Sequence, residues 1–426
     1  MIHRTLTALL FTLSLLCQAV IAETVSLRDR LYDDYALELA GFVEARAGFR
    51  LQEDAGERDA AIGELRAQLD ISRDFDSALF KLKGDLLADG VMEEAKLEIR
   101  ECNLSFSPLD FMDMKIGRQV LTWGTGDLVF INDVFPKDWQ SFFIGRNDEY
   151  LKAPSDGIKI SLFSDIANLD LIYTPLFGGS EYVKGERLSY FNPRAGRLVG
   201  RDMIMAEEER NRWFRDDEIA ARLTKNIGAV ELALYAYSGF WQEPEGINPA
   251  NGRAMFPRLN VYGGSARSPL LGGIGNVEFG YYDSVDNNDG SNPFVRPGEF
   301  RFLAGFEREL GREFTGGLQY YLEWIQDYDN YTRTLAPQMQ ARDEYRHMIT
   351  LRLTKLLMNQ NLNLSLFIYY SPTDNDGYLR PKMSYKISDQ WRVDGGLNIF
   401  FGEDEHTFWG RFQDNTNAYI GLRYAF

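Results

Sequence analysis

Apolar and polar residues alternate along most of this chain. Leu37, Leu39, Gly41, Val43, Ala45, Ala47, Phe49 and Leu51 share one face of an extended segment, and Glu38, Phe42, Glu44, Arg46 and Arg50 share the other. Gly63, Leu65, Ala67, Leu69 and Ile71 oppose Glu64, Arg66, Gln68, Asp70 and Ser72 in the same way. The pattern returns at Val230–Tyr237, Leu362–Tyr369, Trp391–Ile399 and Ala418–Phe426. A period of two places successive side chains on opposite faces, so each segment reads as a two-faced β-strand.

About eighteen such segments follow one another, most of about nine to thirteen residues, the length a tilted strand needs to cross a bilayer. They begin near Ala36, Ile62, Ala78, Ala95, Phe111, Gly157, Asn168, Glu218 and Val230 in the first part of the chain. In the second part they begin near Leu259, Asn276, Glu299, Thr315, Tyr345, Leu362, Tyr378, Trp391 and Asn417. Their connections alternate between short turns, such as Arg73–Asp76 and Ser388–Gln390, and long loops at 121–156, 175–217, 242–258, 284–298 and 326–344. An even strand count, short periplasmic turns and long external loops predict an all-β fold, a transmembrane antiparallel up-and-down β-barrel. A secreted sandwich or β-helix would also alternate. Against it stand Tyr320, Trp324, Tyr385 and Trp391 near strand ends on the apolar face, charges such as Arg66, Lys83, Arg352 and Lys382 in mid-strand on the other, and an aromatic last residue.

The first residues read differently. Met1–Arg4 is a short basic start and Leu6–Leu16 an apolar stretch, followed by Val20-Ile21-Ala22. This predicts a signal peptide over 1–22, a short periplasmic lead or plug over 23–34 and the barrel over 35–426. No stretch is long and apolar enough for a membrane helix. After cleavage only Cys102 remains, too few for an intramolecular disulfide. Three histidines make a His-rich metal site a poor expectation, and a net charge of -17 argues against nucleic-acid partners. The 14% aromatic content suits interfacial girdles.

Two segments carry a resemblance. Leu97-Glu98-Ile99-Arg100-Glu101 followed by Ile116-Gly117-Arg118-Gln119-Val120-Leu121-Thr122-Trp123-Gly124 resembles a pattern in porin-like outer-membrane barrels, among them alginate-export-like proteins and barrels encoded beside RND-type efflux pumps. The resemblance covers residues 97 to 162 and implies a passive channel or export conduit in the bacterial outer membrane, with an efflux or export system as a possible partner. Tyr424-Ala425-Phe426 resembles the terminal signature read by the barrel assembly machinery, which makes Tyr424 and Phe426 the expected assembly signal. Alginate exporters have strongly basic interiors. Here bases and acids are interleaved.

The polar face predicts the pore lining: Arg66, Lys83, Lys115, Arg118, Arg222, Arg301, Arg352, Arg380, Lys382, Arg392, Asp394 and Arg423. Such charges either select ions or brace the wall by pairing with Glu44, Glu64, Asp85, Glu278 and other acids. Loop 121–156 holds Trp123, Phe130, Phe135, Trp139, Phe142, Phe143 and Tyr150, too many aromatics for a solvated loop. It is expected to fold inward as a constriction formed by Trp123, Phe130, Trp139, Phe142, Phe143 and Arg146. Enzyme readings find little support. Asp404-Glu405-His406 has no matching aspartate pair, His347 is followed by Met348 and Ile349 where a lipase barrel would need serine, and Glu403–His406 lacks the spacing of a metal site. Gly124-Thr125-Gly126 and Gly272-Gly273-Ile274-Gly275 read as turn glycines rather than phosphate cradles. The expectation is a channel with no catalytic residues, metal or cofactor, in contact with outer-membrane lipid and lipopolysaccharide. The alternative is a sheath or anchor around a periplasmic, surface or electron-carrying partner.

Overall fold

The computed structural model describes residues 28–426 apart from Ala55, Pro337 and Gln338, so the signal-peptide expectation for residues 1–22 lies outside the described residues. Within the expected lead, residues 28–35 form a helix with mostly exposed side chains.

Eighteen strands then join edge to edge in a single sheet. In chain order they are β1 (Leu37–Arg50), β2 (Ala60–Asp74), β3 (Ala78–Asp89), β4 (Glu94–Leu109), β5 (Met112–Val120) and β6 (Pro154–Leu162). Next come β7 (Asn168–Thr174), β8 (Glu218–Ile227), β9 (Val230–Phe240), β10 (Arg258–Leu270), β11 (Gly273–Ser284) and β12 (Glu299–Gly311). The last six are β13 (Phe314–Ile325), β14 (Tyr345–Leu357), β15 (Leu362–Ser371), β16 (Asp376–Lys386), β17 (Trp391–Phe401) and β18 (Asn417–Ala425). Each pairs antiparallel with the next. β18 returns to β1 from Phe42↔Ala425 to Arg50↔Asn417, so the sheet has no free edge. Closure satisfies every strand's backbone groups within the sheet, which an open sheet in hydrocarbon could not do.

The two faces follow the alternation. Val43, Leu65, Leu234 and Ile420 are exposed on the outer wall, whereas Glu44, Arg66, Tyr235 and Tyr419 are buried in the interior. Trp324 stacks on Tyr345 at 5.6 Å and Trp391 packs at a tilt against Tyr424 at 5.0 Å, aromatic pairs on the outer face near strand ends. An apolar outer wall around a polar and aromatic interior is the architecture of bacterial outer-membrane barrels.

The strands begin within three residues of the positions expected from alternation. The largest differences are β6, which starts at Pro154 rather than Gly157, and β11, which starts at Gly273 rather than Asn276. Ser155 and Asp156 lack apolar alternation, yet they pair with Gln119 and Arg118 and so extend β6; the third loop therefore spans 121–153. The turn between β10 and β11 has only two residues, Leu271 (φ 47°) and Gly272 (φ 76°). Two left-handed residues in succession match the right-handed twist of a hairpin, and Gly272 is a turn glycine as expected. In β4 the register slips at Arg100, so that Lys83 faces Glu101 while Gly84 faces Ile99. This bulge switches the inward face from Glu94, Lys96 and Glu98 to Glu101 and Asn103. All the long loops lie at one end of the barrel, together with two short connections at 90–93 and 372–375, and the remaining short turns lie at the other.

Candidate functional site: the barrel interior and its inward loop

Loop 121–153 leaves β5, crosses the interior and makes side-chain contacts with strands on the far side. Its first fixed point is Glu278 on β11, which is almost completely buried. Glu278 Oε2 accepts from the Thr125 backbone N–H (2.6 Å), the Thr125 hydroxyl (2.9 Å) and the Gly126 N–H (3.1 Å), and Oε1 accepts from the Asn132 N–H (2.8 Å) and amide (3.0 Å). A buried carboxylate needs such donors, because isolated charge in a protected interior is costly. Gly124-Thr125-Gly126 is thus an anion cradle after all, and the anion is the protein's own. A Cβ on Gly124 would meet Glu278 Oε1 at 2.9 Å, and Gly124 has φ 82°.

Further fixed points follow along the loop. Asp127 pairs with Arg352 on β14, and its N–H donates to Gln319 on β13 at 2.7 Å. Arg146 donates to Glu64 on β2 at 2.5–3.1 Å. Arg46 on β1 donates to the Gly145 carbonyl at 2.8 Å while pairing with Asp394 on β17 at 2.8 Å. Asp148 accepts from Arg380 at 2.8 Å and faces Lys382 at 3.7 Å, both on β16. Burial alone would raise the Asp148 pKa, but these two cations outweigh it and hold its carboxyl at about 2.

Between these ties the aromatics are packed. Trp123 meets Phe135 edge-on at 5.0 Å, and Trp139 stacks on Phe143 at 6.0 Å with Phe130 beside it. Phe142 lies 4.0 Å from the Arg380 guanidinium, and Phe143 packs on Tyr378, Phe400 and Phe412. The loop's aromatic content is explained by burial inside the barrel.

Most of the expected lining residues face inward and are ion-paired. Arg66 bonds Asp85 at 2.5 Å, Lys83 lies 3.1 Å from Asp70, Lys115 3.8 Å from Glu101, Arg222 2.6 Å from Asp170 and Arg301 3.0 Å from Glu299. Arg423 joins Glu44 to Glu149 at 2.9 and 3.0 Å. Arg392 sits opposite Arg423 near the turn end and makes no ion pair within 4.0 Å among the described residues. Arg118 corrects the expectation. It is one position out of step with Lys115 and shares its face with Ile116 and, across the strands, with Cys102 and Asp156. It stands on the outer wall, bonded to Asp156 at 2.7 Å. The residues that alternation did not single out, Gly124–Gly126, Asp127, Asp148, Trp409 and Phe412, lie in loops where no period marks them. Phe426 hydrogen-bonds Gly41 through both backbone groups, at 3.0 and 3.2 Å, which seats the chain's last residue on β1.

Two cavities open at opposite ends of the barrel, and only the larger is lined by residues of the loop. The larger, about 770 Å³, lies at the loop end between Phe143, Trp241, Tyr369, Trp409 and the segments around 190–206 and 241–254. The smaller, about 600 Å³, lies at the turn end near Asp76, Ser107, Lys115 and Lys159.

No family model matches the sequence, and no curated protein does. Solved structures match by fold. The crystal structure of Pseudomonas aeruginosa OccD3 (OpdP) is 10% identical and aligns over 92% of this chain and 91% of its own with a TM-score of 0.54. OmpT, an outer membrane protein of Vibrio cholerae, is 12% identical over 92% of this chain and 99% of its own, with a TM-score of 0.42. A triple mutant of the Rh. blastica porin is 12% identical over 92% of this chain and all of its own, also at 0.42. At these identities the likeness speaks for the fold alone, and only the first superposes closely enough to carry weight: this chain is an eighteen-stranded barrel of the outer-membrane porin type.

Proposed function

We propose that this chain is an outer-membrane channel through which small solutes diffuse, with loop 121–153 as its constriction. The observation that carries the reading is the loop itself, drawn inside the barrel and tied to strands on several sides by Glu278, Arg352, Glu64 and Arg380. Its aromatic body borders the cavity at the loop end, which supports a narrow waist beneath an outer vestibule. The interior charges act first as braces, since most of the inward cations have an acid within 4.0 Å. A sheath around a threaded partner would need the interior space that this loop fills, which favours the channel.

The test is single-channel conductance of refolded protein in planar bilayers. Wild type should conduct steadily, and a variant lacking residues 130–143 should conduct more. Phe142→Ala with Phe143→Ala is a milder second variant that keeps every ionic tie. A silent wild type with a conducting deletion would turn the reading into a plugged duct. Silence from all three, with folding verified by heat-modifiable gel mobility, would overturn it in favour of the sheath or anchor.

A further inference from the structure

Loops that meet water are expected to be polar, and loop 284–298 is: it reads Asp286-Asn287-Asn288-Asp289-Gly290-Ser291-Asn292. One stretch of loop 175–217 departs from this. Met203-Ile204-Met205-Ala206 sets four apolar residues in a row, immediately before Glu207-Glu208-Glu209. All four line the larger cavity, where Met203 is 40% and Ile204 50% exposed. The run is fixed by its backbone. The Tyr190 hydroxyl donates to the Met203 carbonyl at 3.2 Å, the Met205 N–H donates to the Lys184 carbonyl at 2.8 Å, and the Ala206 carbonyl accepts from the Ala254 N–H at 2.9 Å. Apolar side chains held exposed at a fixed place mark a binding surface.

Rings from other segments add to the lining. Phe130 and Trp139 of loop 121–153 lie 6.0 Å apart, Phe191 comes from loop 175–217, and Phe408, 40% exposed, comes from the segment between β17 and β18. Trp139 Nε1 donates to Glu243 at 2.6 Å, so its polar edge is spent and its ring remains. Most charged groups of the lining are likewise engaged: Lys137 with Asp133, Arg296 with Glu245 and Glu323, Arg301 with Glu299, and Arg346 with Asp374. A charged solute would lose hydration here with few free partners to replace it. Water against such walls is poorly held, and an apolar body that displaces it gains affinity. Methionine side chains are flexible and polarisable, and adapt to rings of different outline. The volume of about 770 Å³ lies within the range of small-molecule sites.

We infer that this cavity binds a small, uncharged aromatic molecule, its rings lying between the 203–206 run and the aromatic side chains of the lining. The inference rests on the channel reading and deepens it by naming a solute class, and binding can be measured without conduction. Protein in lipid nanodiscs, with empty nanodiscs as the baseline, would be titrated calorimetrically at neutral pH with indole, indole-3-carboxylate and glucose. Wild type should bind indole at least tenfold more tightly than either of the others. Ile204→Asp should weaken indole at least tenfold, and Ile204→Leu should stay within twofold of wild type. Leu271→Asp places the same charge on an exposed apolar residue in a turn at the opposite end of the barrel and should leave indole binding within twofold. Because both positions are exposed and lie outside the strands, barrel folding in these variants should match wild type by gel mobility. No indole binding above empty nanodiscs at millimolar concentration, equal affinity for indole-3-carboxylate, or an unchanged Ile204→Asp would each overturn the inference. A channel that conducts but ignores indole would sink this proposal alone, whereas a silent protein that binds it would sink only the channel reading.

Discussion

Glu278 shows how much of the interior arrangement can rest on one side chain. It gathers five donors from a stretch of chain about 150 positions earlier in the sequence. Glu278→Gln preserves size but removes the charge and points an amide N–H₂ at donors. Hydrogen bonds to charged groups are worth about 1.5–3 kcal/mol each, so the substitution should free the loop without opening the barrel. The expected outcome is faster hydrogen exchange in 121–132 and a noisier open-channel current, with strand exchange unchanged; a quiet loop would refute the role given to Glu278. Gly145 is a second sensitive point. Its φ is 87°, and an added Cβ would be driven into the Tyr419 ring. Gly145→Val should therefore displace the loop as surely as deleting a tie, and the same exchange measurement checks it.

Among the elements, strands and loops make different demands. On β9, Leu234 is exposed on the outer wall while its neighbour Tyr235 is buried inside. Charge on a lipid face near the bilayer midplane costs about 2–4 kcal/mol. Leu234→Arg should lower unfolding stability in vesicles by that amount, and a cost near zero would mean that this face does not meet lipid. The loops meet one another instead. The Glu57 side chain, buried in loop 51–59, bonds Arg201 at 3.3 Å, and the adjoining Gly56 abuts Gly200. Burial, only partly offset by Arg50 and Arg201, pushes the Glu57 carboxyl up to about 7. An acid whose folded pKa is raised stabilises most below its unfolded value, near 4.5, and that contribution fades as pH rises through about 7. Hydrogen exchange around 51–59 and 197–203 should be slowest near pH 4–5 and faster at pH 8, once corrected for intrinsic rates. Glu57→Gln should flatten that dependence.

Across the whole molecule, the net charge of -17 is unevenly placed. Acids and bases nearly balance along the strands, and most of the excess acid sits in the loops at one end. Such a rim should enrich cations at the mouth and lose its effect as salt shortens the Debye length from about 10 Å at 0.1 M to about 3 Å at 1 M. Reversal potentials in potassium chloride gradients should show a modest cation preference at low salt that fades at 1 M; anion preference would contradict this picture.

Strand positions, the inward and outward faces and the up-and-down order were legible from the residues alone, because a period of two is a local property that each strand repeats for itself. Arg118 escaped because one position decides its face, and a charge at a strand end fits either side. The aromatic loop could be expected to seek burial from its composition. Its route could not be read, because Glu278, Arg352 and Arg380 meet it from strands 150 to more than 230 residues away and no period links them to it. The same is true of the cavity at the loop end, whose lining from β14 and from the segment before β18 is brought together only by closure of the sheet. Periodicity determined which residues line the wall; three-dimensional closure decided which of them meet and which charges are spent on one another.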